Sequence, residues 1–288
     1  MIISEVQLRF FTNMTINCRG KLLDLSVPKV MGILNVTPDS FFDGGRYTGG
    51  DAVLEQAEKM LNEGADILDI GGMSSRPGAQ IVSEEEELKR VLPHIKNLVK
   101  RFSEAVISVD SIRAKVADEC LQVGAHIIND ISAGRFDNAM ISIVAKHKAP
   151  FVLMHMQGMP DTMQQNPHYE NVTTEVMDFF AERIATCRAA GIIDLILDPG
   201  FGFGKTIMHN YTLLRNLSYF KNLNLPVLAG LSRKGMIYKP LGIGVEEALN
   251  GTTTANTIAL MNGANGLRVH DVKETKEAVK LVQMLKQI

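Results

Sequence analysis

Residues 193–206 read IDLILDPGFGFGKT, and this stretch decides the fold. A short apolar run, Leu195-Ile196-Leu197, stops at an acid, Asp198, and a loop of three glycines and two phenylalanines follows, closed by Lys205. An apolar run of that length bounded by Gly and Pro is the pattern of a buried strand. A carboxylate where such a strand ends stands at the rim of the core. Glycines directly after it let backbone approach a ligand more closely than a Cβ would allow.

The same punctuation recurs along the chain. Apolar runs starting at Val30, Val106 and Phe151 end in Asn35, Asp110 and His155, and Ile67–Ile70 runs into Gly71-Gly72. His126-Ile-Ile ends in Asn129-Asp130, Val227–Leu231 in Ser232-Arg233-Lys234, and Gly266–Val269 in His270-Asp271. With Asp198 these make eight candidate strands, separated mostly by segments of helical pattern. Strands alternating with helices build right-handed βαβ units and a parallel sheet. Eight such units predict an α/β fold, a single closed (β/α)8 barrel over residues 1–288, with functional groups at the C-terminal ends of the strands. The polar run-ends then converge on one mouth.

Residues 1–28 alternate apolar and polar side chains, with Thr12-Asn13 as the candidate turn. They predict a short N-terminal β-hairpin that plugs the barrel bottom. Helices are predicted over 52–62 with Gly64 as the stop, 114–123, 172–190 and 272–286, and Ser83 with Glu86 has the spacing of a capping box. The Glu84–Glu87 run that follows is expected to be a solvated first turn, favoured by the helix dipole, and not a metal site. The loops at 35–50 and 71–79 are long for βα connections and carry Gly, Pro, Asp and Arg, which marks them as binding loops or lids.

Composition removes several classes. A net charge of −2 with scattered Lys and Arg argues against a nucleic-acid or membrane surface. Cys18, Cys120 and Cys187 form no CxxC pair and are expected to be buried free thiols in a reducing compartment. Glu5 and Arg9 interrupt the apolar N-terminal stretch, which therefore reads as neither signal peptide nor spanning helix, and the expected location is cytoplasmic. Near-miss motifs also fall away. Pro199 stands where a P-loop needs its first Gly, and Gly200, Gly202 and Gly204 have the wrong spacing for a dinucleotide fingerprint. Gly230-Leu-Ser-Arg-Lys234 lacks the last Gly of a nucleophile elbow, and no HExxH or Cys/His zinc spacing is present.

At a shared mouth the strand ends offer two chemistries. Asp110, Asn129, Asp198 and Lys234 combine acceptors, an amide and a cation, a set suited to a flat heterocycle with an amidine-like N–H edge and a carbonyl. Arg268 and His270, two apart and so on one strand face, suit an anion, with Asn35 and Arg76 as further phosphate contacts.

The segments MGILNVTPDSFFDGG (31–45), DIGGMSSRPGA (69–79), SVDS (108–111), INDIS (128–132), LMHMQG (153–158), DPGFGFGK (198–205), LSRK (231–234) and RVHDV (268–272) resemble, in order, those of dihydropteroate synthase. The resemblance covers the chain after about residue 28. It implies a TIM barrel of the folate pathway that joins 6-hydroxymethyl-7,8-dihydropterin diphosphate to para-aminobenzoate, giving 7,8-dihydropteroate and pyrophosphate. It further implies Mg²⁺, a homodimer, and competitive inhibition by sulfonamides. By the same resemblance Asp110, Asn129, Asp198 and Lys234 hold the pterin, with Met154 and Phe203 against its ring. Asn35, Arg76, Arg268 and His270 hold the diphosphate, and Asn35 reaches the metal. Phe41, Ser75, Arg76, Pro77, Phe203, Lys234 and Gly235 line the aminobenzoate pocket. Asp110, Lys234, Arg268 and His270 are the expected catalytic set. Met73, Ser75 and Gly235 depart from the family's common Glu, Thr and Ser, and Ser75 and Gly235 border the aminobenzoate side. Two other readings share the pocket: a methyltetrahydrofolate-binding methyltransferase domain, which needs no diphosphate set, and a non-catalytic pterin-binding paralogue.

Overall fold

The computed structural model describes residues 14–36, 49–73, 82–159 and 162–285. A two-stranded antiparallel hairpin, β1 (Thr15–Cys18) and β2 (Lys21–Asp24), comes first. Eight parallel strands follow: β3 (Lys29–Asn35), β4 (Ile67–Gly71), β5 (Val106–Asp110), β6 (Ile127–Asp130), β7 (Phe151–Met154), β8 (Leu195–Asp198), β9 (Leu228–Ala229) and β10 (Gly266–Val269). Their order in the sheet is β8-β7-β6-β5-β4-β3-β10-β9. A parallel bridge between Leu197 and Val227, with Leu197 N–H donating to Pro226 O at 2.9 Å, brings β9 back beside β8 and closes the ring. Every expected strand is present. The one predicted over Val227–Leu231 is regular only at Leu228–Ala229, because the chain turns at once: Lys234 N–H donates to Leu231 O at 3.2 Å, with Arg233 at φ +55°.

Outside the sheet lie α1 (Gly49–Asn62), α2 (Glu84–Arg101), α3 (Ala114–Gln122), α4 (Met140–His147), α5 (Val172–Ala189), α6 (Ile207–Arg215), α7 (Gly235–Leu241), α8 (Leu249–Met261) and α9 (Val272–Leu285). No helix among the described residues is long and apolar enough to cross a membrane.

The two faces of each strand explain how the barrel fills. One set of side chains, including Leu34, Leu68, Ile107, Ile128, Leu153 and Leu197, packs under the helices in the main core. The alternate set points inward, as a period of two requires. At the bottom of the interior Met31, Ile67, Val106, Ile127, Val152, Ile196 and Leu228 form one apolar layer with Ile16, Cys18 and Leu25 of the hairpin region. The hairpin thus plugs the barrel bottom. Its turn is Arg19-Gly20, both at positive φ, while the expected Thr12-Asn13 turn lies outside the described residues. Arg19 donates to Ala125 O at 2.8 Å and Lys21 to Ser103 O, so both cations satisfy carbonyls just beyond the ends of α3 and α2.

Two helix details differ from expectation. Ser83 Oγ accepts from Glu86 N–H at 3.2 Å, but the Glu86 carboxylate pairs with Arg90 at 2.7 Å instead of completing the box. The acidic first turn is also not uniformly solvated. Glu87 falls in the same stripe as Val91, Ile95 and Leu98 and is buried, with Arg113 Nη1 at 3.0 Å from its carboxylate. Burial pushes the Glu87 carboxyl up, against the pull of Ser111 and Arg113. All three cysteines are buried free thiols.

Candidate active site

Following the inward-facing positions up from the apolar floor gives the site. Two residues on from Ile67 stands Asp69, four on from Val106 stands Asp110, and Ile127 leads to Asn129. Val152 leads to Met154, Ile196 to Asp198, Gly266 to Arg268. The same faces that are apolar at the bottom become polar at the C-terminal ends, where a barrel carries its chemistry. The structure therefore brings Asp110, Asn129, Met154, Asp198 and Arg268 to one mouth.

Arg268 ties the mouth together. Its Nε donates to Asp69 at 2.6 Å and its Nη2 to Asp110 at 2.7 Å, while Asn129 Nδ2 donates to the same Asp69 oxygen at 3.0 Å. Burial alone pulls the guanidinium down, but Asp69 and Asp110 more than offset it and the net shift is upward. Asp110 is pushed up to about 7, chiefly by burial and against the pull of Arg268. The arginine read as an anion ligand is thus first a member of the carboxylate network. Its remaining guanidinium N–H donors stay available to a ligand.

Asp198 and Lys234 face each other across Gly230. A Cβ built on that glycine would lie 3.7 Å from Lys234 Nζ, 3.8 Å from Asp198 Oδ2 and 3.9 Å from Arg268 Cβ. Asp198 Oδ1 accepts from Gly200 N–H at 2.8 Å, and Lys234 donates to Phe201 O with its Nζ 4.8 Å from the Phe203 ring centre. Burial draws the Lys234 ammonium down to about 8, against the pull of Asp198 and helped by Arg268. Within the LSRK segment the two cations separate: Arg233 turns outward, with Nε 3.0 Å and Nη2 2.8 Å from the Asp271 carboxylate, and this anchors the turn that aims Lys234 into the mouth. His270 follows β10, with Nδ1 3.0 Å from Ser232 Oγ. Asn35 ends β3 opposite Gly71, near Asp110. Met154 joins Met73, Met156, Met163, Ile112 and Ile131 in an apolar wall with Phe203 packed against it. Met73 thus serves packing. Gly235 opens α7 and a Cβ there would meet Lys239 and Tyr238 of its own helix. Phe41, Ser75, Arg76 and Pro77 lie outside the described residues.

Two functional positions escaped the sequence reading. Asp69 sits inside an apolar run, and only its period-two place below Gly71 marks it as inward-facing. Lys205 closes the glycine loop yet is almost fully buried. Its Nζ lies 2.9 Å from His155 Nδ1, 3.0 Å from Gly200 O and 3.1 Å from Phe203 O. Burial lowers it well below an ordinary lysine, partly opposed by Asp198. Gly200 and Gly204 have positive φ, and a Cβ on either would overlap the carbonyl oxygens of His155 and Gln157. The loop lies backbone-on-backbone against the end of β7, and Lys205 is the clasp.

No group of three His, Cys, Asp or Glu that could cage a metal occurs among the described residues. Near Gly71 the mouth places the Asn35 amide oxygen beside the Asp110 carboxylate, both within 4 Å of where a Cβ on that glycine would lie. That fits Mg²⁺, which keeps waters and takes ligands from substrate phosphates instead of an all-protein cage.

Residues 31–270 match the family described as pterin binding enzyme. The dihydropteroate synthase of Escherichia coli K12 is 50% identical over 272 residues, 94% of this chain and 96% of the relative. A crystal structure of the Yersinia pestis dihydropteroate synthase with a sulfonamide drug complex superposes with a TM-score of 0.90 at 47% identity, covering 96% of this chain and 100% of that one. The Xanthomonas albilineans dihydropteroate synthase with 4-aminobenzoic acid gives 0.90 at 43% identity, over 96% and 99% of the two chains. The chain belongs to the dihydropteroate synthases, transferases of folate biosynthesis built on a pterin-binding barrel.

Proposed function

We propose that this mouth joins 6-hydroxymethyl-7,8-dihydropterin diphosphate to para-aminobenzoate by the residue roles that follow. The observation that carries the assignment is the convergence of Asp110, Asn129, Asp198 and Arg268 from four strands, with Lys234 facing Asp198 across the side-chain-free Gly230. Acceptors on Asp198 and Asn129 meet the donor-rich edge of the pterin, Lys234 meets its carbonyl, and Met154 packs on the ring. The diphosphate lies toward Arg268, His270 and Asn35, the side to which the family resemblance also assigns Arg76. Asn35 would hold Mg²⁺ there together with diphosphate oxygens, and the ion would supply charge neutralisation for the leaving group.

The C–O bond to the pterin methylene breaks with its electron pair leaving on pyrophosphate. Arg268 and His270 stabilise that charge, and Asp110 stabilises the positive charge spread over the pterin. The aminobenzoate nitrogen then attacks the methylene and releases a proton. Phe203 and Lys234 line the side from which it approaches, next to Gly235, and the family resemblance assigns Phe41, Ser75 and Pro77 to the same pocket. Exposed Leu241, Ile258 and Met261 on α7 and α8 offer an apolar face for a homodimer, checked by light scattering of the eluting protein. Buried free thiols suit a cytoplasmic enzyme.

The test is pyrophosphate release from the pterin diphosphate with Mg²⁺, with and without para-aminobenzoate. Release that needs both, with dihydropteroate formed and sulfonamides competing, is the expected result. Pterin binding without release points to a binding paralogue. Absence of pterin binding removes the pocket assignment.

A further inference from the structure

We infer that Asp69 is a positioning residue that sets the donor–acceptor polarity of the pterin edge of the site, by holding the Asn129 amide with its carbonyl toward the mouth. The inference rests on the pterin reading above and adds a residue to which that reading gives no role.

Asp69 is fully buried on β4, two residues below Gly71 on the inward face. An ionised carboxylate only accepts hydrogen bonds, so any group that faces it must donate. Both donors it receives come to one oxygen: Asn129 Nδ2 at 3.0 Å and Arg268 Nε at 2.6 Å, while its Oδ1 has no partner among the described residues. The consequence for Asn129 is geometric. With its NH₂ committed inward, the amide oxygen is left for a ligand. Arg268 is committed through Nε in the same way and swings its second nitrogen onto Asp110 at 2.7 Å. A single buried charge therefore orients an amide on β6 and a guanidinium on β10. Gly71 above it carries no side chain, so nothing of β4 stands between this layer and the mouth.

The polarity matters because an amide is nearly symmetric in shape. Turned by half a rotation, Asn129 would offer donors and prefer a ligand with an oxygen where the pterin has its amino group. A neutral amide at position 69 removes the constraint, since it can meet Asn129 with either its carbonyl or its NH₂.

The experiment compares binding of 6-hydroxymethylpterin and 6-hydroxymethyllumazine, in which oxygen replaces the 2-amino group, to the wild-type protein and to Asp69→Asn. The wild type is expected to prefer the pterin. In Asp69→Asn that preference should fall by about tenfold, the scale of one buried hydrogen bond made or left unpaired. The KM for para-aminobenzoate should stay within about twofold, a split that general loosening of the barrel would not give. A folded Asp69→Asn that keeps the wild-type preference overturns the inference. Should the variant fail to fold, side-chain ¹⁵N spectra of the free wild type decide. The Asn129 NH₂ protons must be protected from exchange, and free exchange overturns the inference. A wild type that binds neither ligand overturns the pterin reading and this inference together. Discrimination retained in Asp69→Asn overturns this one alone.

Discussion

Arg268 and Lys205 are two cations at the same mouth, the first partly exposed and the second almost fully buried, and their partners treat them in opposite ways. Arg268 sits between two carboxylates and its charge is held more firmly than in water. Lys205 sits among carbonyl oxygens and a histidine nitrogen, and its charge is held less firmly. The cost of desolvation acts on both, so the partners decide the outcome. An ion pair fixes a charge in place at the mouth. A carbonyl cage fixes backbone, and the charge is incidental to that work.

The sharpest way to break this contrast is Arg268→Ala. Removing the guanidinium leaves Asp69 and Asp110 buried together without their cation, which should cost about 3–5 kcal/mol in denaturant unfolding. Pyrophosphate release should fall by about a thousandfold or more, from loss of leaving-group stabilisation. An active, stable Arg268→Ala would dissolve the idea of a shared linchpin.

A second test uses pH, through Lys234. Its folded pKa is about 8, below the ordinary lysine value of 10.5. Between those two values the unfolded chain binds more protons than the folded one, so stability should rise with pH across that window. Pterin affinity should move the other way. The charged ammonium is lost above pH 8, and Kd should weaken by up to about tenfold per pH unit, with Lys234→Met flattening the profile.

Lys205→Met should act on geometry more than on charge. Freed carbonyls at Gly200 and Phe203 let the loop relax, and the KM for para-aminobenzoate should rise by about tenfold while pterin affinity changes less than twofold. Stability should drop by about 1–2 kcal/mol. Equal losses for both substrates would place Lys205 in the chemistry and undo the contrast.

The smallest effect belongs to the floor. Ile16→Val, in the hairpin layer, should lower stability by about 1 kcal/mol and leave both KM values unchanged. A change in KM would mean that the plug communicates with the mouth.

Much of this was legible in the chain. A strand shows itself locally, because an apolar run and its polar stop are neighbours in sequence. The eight run-ends therefore announced the barrel, and Asp110, Asn129, Asp198, Lys234 and Arg268 announced the mouth. Glu87 misled for a related reason: four consecutive acids look solvated, yet the helical period carries the last of them into the stripe of Val91 and Ile95. Asp69 is not legible in the same way, because an acid within an apolar run has no local meaning.

The sequence by itself determined the elements, their order and which residues reach the strand ends, because periodicity and punctuation are short-range properties. Only the tertiary structure decided the partners. Asp69 and Arg268 are 199 residues apart and meet because β4 and β10 pair with β3 from either side. Lys205 became a clasp instead of a surface charge because the end of β7 lies against its loop. Partnership between distant residues is a property of packing, and burial then fixes what each charge can do.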